Sequence, residues 1–344
     1  SPSPSVTTYH TFHQNSWPVQ LIETDKKLNT IALDMHNEFP KRNYVLSEVL
    51  QENLRSTSKK KEVSILYHNR LGTTSSLMCK DCNTLVTCRE CSLPLRVHTS
   101  DNTLKCHHCA RSYTPQLSCK KCKGTQLIPY GYGIERVKRE VLKILPQATV
   151  SVIDQNNRVH SKNTDVLIAT NALFTTPLTL SGTSLLGVIS ADTPLQVTDL
   201  HSHEWVWRML HHLKAFAKQK DVQTMIVQTL HPENSTIQSF RASSDIFYEE
   251  ELKKRKKFSY PPFSQIIKLT FSHAEKMTGE AELKKVIPQL RSEFKELLGP
   301  YLAHVPRVRG QFRWNVIIKA SHYSALQTLL DHDVWSIDVD PIHL

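Results

Sequence analysis

Residues 79–91 read CKDCNTLVTCREC, two Cys-x-x-Cys pairs separated by five residues. Two more pairs, Cys106/Cys109 and Cys119/Cys122, complete the eight cysteines of this 344-residue chain. A disulfide framework suits small secreted chains that lack a core, and cysteines three apart make strained disulfides. A redox Cys-x-x-Cys needs one pair, not four. The tight turn of a Cys-x-x-Cys knuckle instead lets two thiolates occupy one edge of a tetrahedron around zinc. Four knuckles therefore predict two all-cysteine sites and two Zn²⁺ per chain.

The spacing chooses the pairing. Between Cys91 and Cys106, Leu93, Leu95 and Val97 alternate as on one strand face, and TSDN (99–102) is a turn cluster. A hairpin there returns the chain to its start and sets Cys88 and Cys91 against Cys106 and Cys109. The outer pairs, Cys79 and Cys82 with Cys119 and Cys122, form the second site. A closed four-thiolate site has no open position for catalysis, so its role is structural. Lys80, Arg89, Arg96, Lys105, Arg111, Lys120, Lys121 and Lys123 surround the array. They read equally as a solvated rim or as a nucleic-acid face. His98, His107 and His108 are expected near the sites, not as ligands.

Outside the array the pattern changes. EVSILYHN (62–69), ATVSVID, TDVLIAT, SLLGVIS and QTMIVQTL are continuous apolar runs, as in parallel strands buried on both faces. Val137, Val141, Leu142 and Leu145 repeat at helical spacing before Pro146, and Val206, Leu210, Leu213 and Ala217 share one face of a second helix. Alternating strands and helices predict an α/β domain, with the cysteine module inserted between its first strand and first helix. After about residue 230 a second, α+β domain is expected, with a helix through AELKKVIPQLRSEFKELLG and a strand through RVRGQFRWNVIIKA.

The net charge of +11 suits a polyanionic partner, nucleic acid above all. No apolar run approaches the ~20 residues of a membrane span, and the polar start SPSPSVTTYHTFHQ is not a secretory signal. A cytoplasmic, nucleoid-associated protein without a membrane partner is expected. The chain does not begin with Met and reads as a fragment or processed product. None of its glycines opens a G-x-x-x-x-G-K-[ST] phosphate loop.

Two basic-aromatic clusters are nucleic-acid candidates. Lys253, Lys254, Arg255, Lys256 and Lys257 adjoin Phe258, Tyr260 and Phe263, which suits phosphate contacts with base stacking; a solvated helix end is the alternative. Arg309 and Arg313 would share one face of a strand, with Trp314 on the other, where it is either a binding group or a core residue.

Several motifs together resemble the C-terminal half of the bacterial replication-restart helicase family, primosomal protein N′ or PriA. These are the cysteine array, HNRLG (68–72), GYGIERVKREV, EELKKRKKFSYPPF, RVRGQFRWNVIIKA, IDVDPIHL and the opening SPSPS. The resemblance implies a RecA-like second helicase lobe with an inserted all-cysteine double zinc-ribbon module, followed by a small α+β C-terminal domain. On that basis residues 1–60 are a remnant of the first lobe and linker, 61–71 and 128–232 the degenerate second lobe, 72–127 the zinc module, and 233–344 a DNA- and partner-binding domain.

The family's Walker A lysine and acidic Mg²⁺ motif would lie upstream of Ser1. Its Gly-Thr-Gln-Met segment is replaced by ATNALFTTPLTLSG, which keeps Thr170, and its arginine-finger segment by HHLKAFAKQKDVQT. An arginine finger contributes roughly 10³–10⁵ in phosphoryl-transfer rate, so ATP hydrolysis and helicase activity are not expected of this chain and no catalytic residue is assigned. The resemblance implies binding of fork and single-stranded DNA, the tail of single-stranded-DNA-binding protein and other primosome proteins, in primosome assembly and reloading of the replicative helicase. Two alternatives stand beside it: an active 3′–5′ helicase whose Walker A lobe is a separate chain, and a zinc-ribbon protein of RNA or transcription complexes.

Overall fold

The computed structural model describes residues 3–17, 27–38, 45–68, 76–82, 84, 86–88, 95–98, 103–105, 111–114, 118–130, 133–155, 157–180, 182–191, 200–241, 244–308, 310–320, 326 and 333–341. In chain order come α1 (Val6–Gln14), β1 (Asn29–Asp34), α2 (Glu48–Lys59) and β2 (Val63–Tyr67). A run of short strands follows: β3 (Ser76–Cys79), β4 (Arg96–His98), β5 (Thr103–Lys105), β6 (Ser112–Tyr113) and β7 (Leu127–Tyr130). Then come α3 (Ile134–Ile144), β8 (Val150–Ile153), β9 (Val166–Ala169), β10 (Thr183–Val188), α4 (Ser202–Gln219), β11 (Thr224–Thr229), α5 (Ser235–Arg241) and α6 (Ser244–Lys257). The chain closes with β12 (Gln265–His273), α7 (Lys276–Glu293), β13 (Glu296–Val308), β14 (Gln311–Ala320) and β15 (Trp335–Val339).

Six strands form a wholly parallel sheet in the order β1-β11-β10-β2-β9-β8. Its central strands are apolar throughout because both faces are covered. One face packs Leu50 and Leu54 of α2 and Ile134, Val137 and Val141 of α3. The other packs Val206, Leu210, Leu213 and Ala217 of α4 and Ile237 and Phe240 of α5. The result is a three-layer α/β/α body. At Gly187 an added Cβ would lie 2.8 Å from Leu66 and 3.0 Å from Leu50, so glycine lets α2 close onto the sheet.

Two departures from the sequence expectation concern boundaries. Residues 1–60 are not only a remnant and linker: β1 pairs with β11 along its whole length, and α2 is half of one helical layer. The run NTIALD has no flanking helix signal, so its place at a sheet edge follows only from its partner. At the other boundary, α5 and the start of α6 belong to the body. Phe240 lies in the core below the sheet, and Phe247 and Tyr248 pack on Trp207 of α4.

Between β2 and α3, strands β3 to β7 form an antiparallel sheet in the order β6-β5-β4-β3-β7. β4 and β5 pair as a hairpin, with Val97 opposite Leu104. β3 and β7 pair at the base, so the insertion leaves and re-enters the body at one place.

The C-terminal unit is a second antiparallel sheet, β13-β14-β12-β15, with α7 packed on one face through Leu283, Ile287 and Leu290. The helix expected through SEFKELLG ends at Glu293, and ELLG begins β13. The single strand expected through RVRGQFRWNVIIKA is a hairpin: β13 stops at Val308 and β14 starts at Gln311, with Gly310 at φ +84. Only glycine takes that φ without strain. Of residues 321–332 the structure describes Leu326, which is buried in the same core.

Candidate metal centre and nucleic-acid interface

The strand pair β3/β7 places two knuckles face to face. Cys79 ends β3; its amide donates to the Thr84 carbonyl at 2.9 Å, closing the first turn. The Cys119 amide donates to the Gly124 carbonyl at 2.7 Å and closes the second. At Gly124 the Asp81 carboxylate lies 2.0 Å from where a Cβ would sit, so any larger residue there must push that carboxylate aside. The sulfurs of Cys79, Cys82, Cys119 and Cys122 all lie within 4.8 Å of one another. Cys79 and Cys122 are 3.5 Å apart and Cys82 and Cys119 3.7 Å. A tetrahedral ion with Zn–S bonds of ~2.3 Å would set its sulfurs ~3.8 Å apart. The four-thiol set therefore fits a metal ion.

The electrostatics of the set agree. A hydrogen bond from Thr84 pulls the Cys82 thiol down to about 6, whereas burial pushes the Cys79 thiol up to about 12. The group forms one thiolate readily and resists the next, which a bound cation would relieve. Of the inner set, Cys91, Cys106 and Cys109 lie outside the described residues. Cys88 is buried beside Val86, Leu95 and Leu104, with its sulfur 3.0 Å from the Tyr113 hydroxyl. Lys80, Lys120, Lys121 and Lys123 are exposed around the outer set, and Arg111 is exposed beside β6.

The second candidate site starts at the last turns of α6. Lys253, Lys254, Lys256 and Lys257 are exposed, and the Lys257 ammonium lies 5.5 Å from the Phe258 ring. Arg255 departs from its neighbours, being 1% exposed. Its Nε donates to Glu251 at 3.0 Å, one Nη to Glu204 of α4 at 2.9 Å and the other to the Pro261 carbonyl at 3.2 Å. Burial works against ionisation of Glu204, but His201 and the Arg255 guanidinium hold its carboxyl below the usual range. Arg255 is thus an internal cation committed to two carboxylates, not the phosphate contact expected from the run of charge. Tyr248, Glu251 and Arg255 fall on one stripe of α6, which the structure turns inward.

In β14, Arg313 is half-buried and faces away from α7, while Trp314 is 3% exposed and packs with Phe271 and Phe312. Trp314 is a core residue, because α7 covers that face; its Cζ3 and Cη2 come within 3.0 Å of where a Cβ on Gly279 would sit. Arg309 lies outside the described residues.

Sequence reasoning missed Lys319. It donates to the Phe258 carbonyl at 2.7 Å, lies 4.3 Å from the Tyr260 ring and 3.7 Å from the Glu296 carboxylate. A contact across 61 residues leaves no local pattern to find.

No helix among the described residues is long and apolar enough to cross a membrane. Residues 256–342 match the family model described as the primosomal protein N C-terminal domain. Over 349 residues the chain is 28% identical to the replication restart protein PriA of Borreliella burgdorferi, covering 96% of this chain and 52% of that protein. The protein of the same name from Bacillus subtilis is 28% identical over 340 residues, covering 90% and 42%. That from Thermotoga maritima is 25% identical over 328 residues, covering 92% and 44%. The chain spans about half the length of the curated relatives it matches.

Proposed function

Because this chain belongs to the family of the primosomal protein PriA, we propose that it acts in replication restart as a fork-binding platform that promotes primosome assembly. The observation that carries this is the cluster of exposed lysines and Phe258 at the entry to the matched C-terminal domain. Cations and an aromatic face side by side bind a charged, base-bearing strand. The parallel sheet would be a degenerate RecA-like lobe that serves as scaffold. In place of an arginine finger its α4 carries HHLKAFAKQ, and Leu213 and Ala217 of that segment are buried in the core. ATP hydrolysis is therefore not assigned to this chain.

Zinc is the proposed occupant of Cys79, Cys82, Cys119 and Cys122, with a second ion on Cys88, Cys91, Cys106 and Cys109. Such an ion supplies a closed crosslink with no catalytic position. The cysteines orient the exposed lysines around them, and the module then offers a basic face to DNA or to partner proteins, including single-stranded-DNA-binding protein.

The test is binding of the zinc-loaded chain to fork DNA and to RNA of matched sequence across a salt titration, with ATP hydrolysis measured in parallel. Tighter binding to fork DNA without ATP turnover is expected. Equal affinity for both polymers would overturn the restart assignment in favour of a general zinc-ribbon binder.

A further inference from the structure

We propose that the turn at residues 258–264 and the adjoining edge of the C-terminal sheet form a stacking platform for single-stranded nucleic acid. Phe258 and Tyr301 are its base-stacking faces, Lys256 and Lys257 its phosphate contacts, and Arg255 and Lys319 the positioning residues that hold the turn. The proposal rests on the DNA-binding assignment above and names where on the chain, and by what chemistry, a strand is held.

Phe258, Leu298 and Tyr301 are 52%, 59% and 42% exposed. Single exposed apolar groups are ordinary, but these three follow one line. Lys319 lies opposite Glu296, Ile317 opposite Leu298 and Asn315 opposite Tyr301, so these side chains share the sheet face that α7 does not cover. Lys319 touches the Phe258 carbonyl and the Tyr260 ring, which puts the turn at one end of this line and Tyr301 at the other. Four strand steps of ~3.4 Å separate the Lys319 and Asn315 positions, about 14 Å in all. Stacked bases rise by about 3.4 Å each, so the line accommodates a few nucleotides.

The turn is braced from both sides. Arg255 donates to the Pro261 carbonyl from below, and its own carbonyl accepts from the Tyr260 amide at 2.8 Å. Lys319 holds the Phe258 carbonyl from the sheet. A braced aromatic loses little freedom when a base stacks on it. Lys256, Lys257 and Lys319 outnumber the Glu296 carboxylate, so the line favours a polyanion.

An acidic peptide is the rival polyanion, and peptide side chains are usually held in concave sites. The neighbouring cavity of about 570 Å³, between α1 and the Pro261–Pro262 turn, is lined by Glu204 and Asp340 and offers an acidic tail no lysine or arginine among the described residues. The open, flat line suits bases, whose faces are exposed only in a single strand.

The test compares binding of the full chain to an oligothymidylate and to an abasic oligomer of equal length, over a range of salt. The chain is expected to prefer the base-bearing strand. Phe258→Ala and Tyr301→Ala should each weaken oligothymidylate binding on the order of 5- to 150-fold and leave abasic binding unchanged. Lys256→Gln and Lys257→Gln should each lower the log–log salt slope by about 0.7 and leave the base preference intact. Arg255→Lys keeps the charge but loses the fork; with the circular dichroism of the parent retained, it should narrow the base preference at an unchanged slope. Lys319→Gln, on the exposed side of the same turn, narrows it too and does not depend on that buried site folding. Oligothymidylate binding that survives both aromatic variants overturns the platform and leaves the fork-binding assignment standing. Failure to bind either oligomer overturns that assignment itself. An acidic aromatic peptide that binds and loses affinity in the aromatic variants, with no base preference in the parent, would reassign the line to a protein partner.

Discussion

The parallel-sheet body and the cysteine insertion sit next to each other in the chain and are stabilised by opposite means. The body buries two continuous apolar layers, from Leu50 and Val137 on one face to Leu210 and Phe240 on the other. Among its described residues the insertion gathers one small apolar cluster, Val86, Cys88, Leu95 and Leu104, with Leu77, Tyr113 and Leu127 at its edge. Its strands are two to four residues long. Apolar burial is the main term in the first; the second needs a crosslink, and the converging thiols are where one fits.

The largest expected effect breaks the two regions apart. Metal binding in small zinc peptides carries about 10–16 kcal/mol of folding free energy. Chelation, or Cys119→Ser, is expected to unfold the insertion and leave the body's cooperative transition in place. Zinc release measured with a chromophoric chelator alongside circular dichroism checks this; a body that melts with the insertion would show that the two are one folding unit.

A smaller effect is expected where the body relies on charge. Arg255→Met leaves Glu204 and Glu251 buried without their cation, which costs about 3–5 kcal/mol. Denaturant titration should show that loss, and a change under 1 kcal/mol would mean that water replaces the guanidinium.

Proton binding separates the regions again. Burial beside Lys214 and His212 lowers the His211 pKa to about 4 from an ordinary 6.5. Between those values the unfolded chain binds more protons, so stability is full above pH 6.5 and is lost as pH falls towards 4. The loss is of order 3 kcal/mol. Thermal melts across that window, with His211→Phe flattening the slope, test it on the body alone.

The smallest effect sharpens the packing side. Gly187→Ala must displace Leu66 or Leu50 and should cost about 1–3 kcal/mol. A neutral result would show slack between α2 and the sheet.

Legibility followed the range of the interaction. The α4 stripe of Val206, Leu210, Leu213 and Ala217 was readable, and each of its residues is fully buried, because helical periodicity is local. The approach of Cys79 and Cys82 to Cys119 and Cys122 was readable because a hairpin of known length lies between them. β1 was not, since its partner β11 lies some 190 residues away. The run of five basic residues misled for the same reason. It shows charge, but which member points inward is set by Glu204 on another helix.

By itself the sequence determined the main strands and helices of the body, the approach of Cys79 and Cys82 to Cys119 and Cys122, and the resemblance to PriA, because periodicity, spacing and motifs are properties of neighbouring residues. Only the tertiary structure decided that Arg255 is an internal clamp, that Trp314 is core, and that Lys319 meets the Phe258 turn. Those assignments depend on which distant surface arrives opposite each side chain, and burial and ion pairing are decided there.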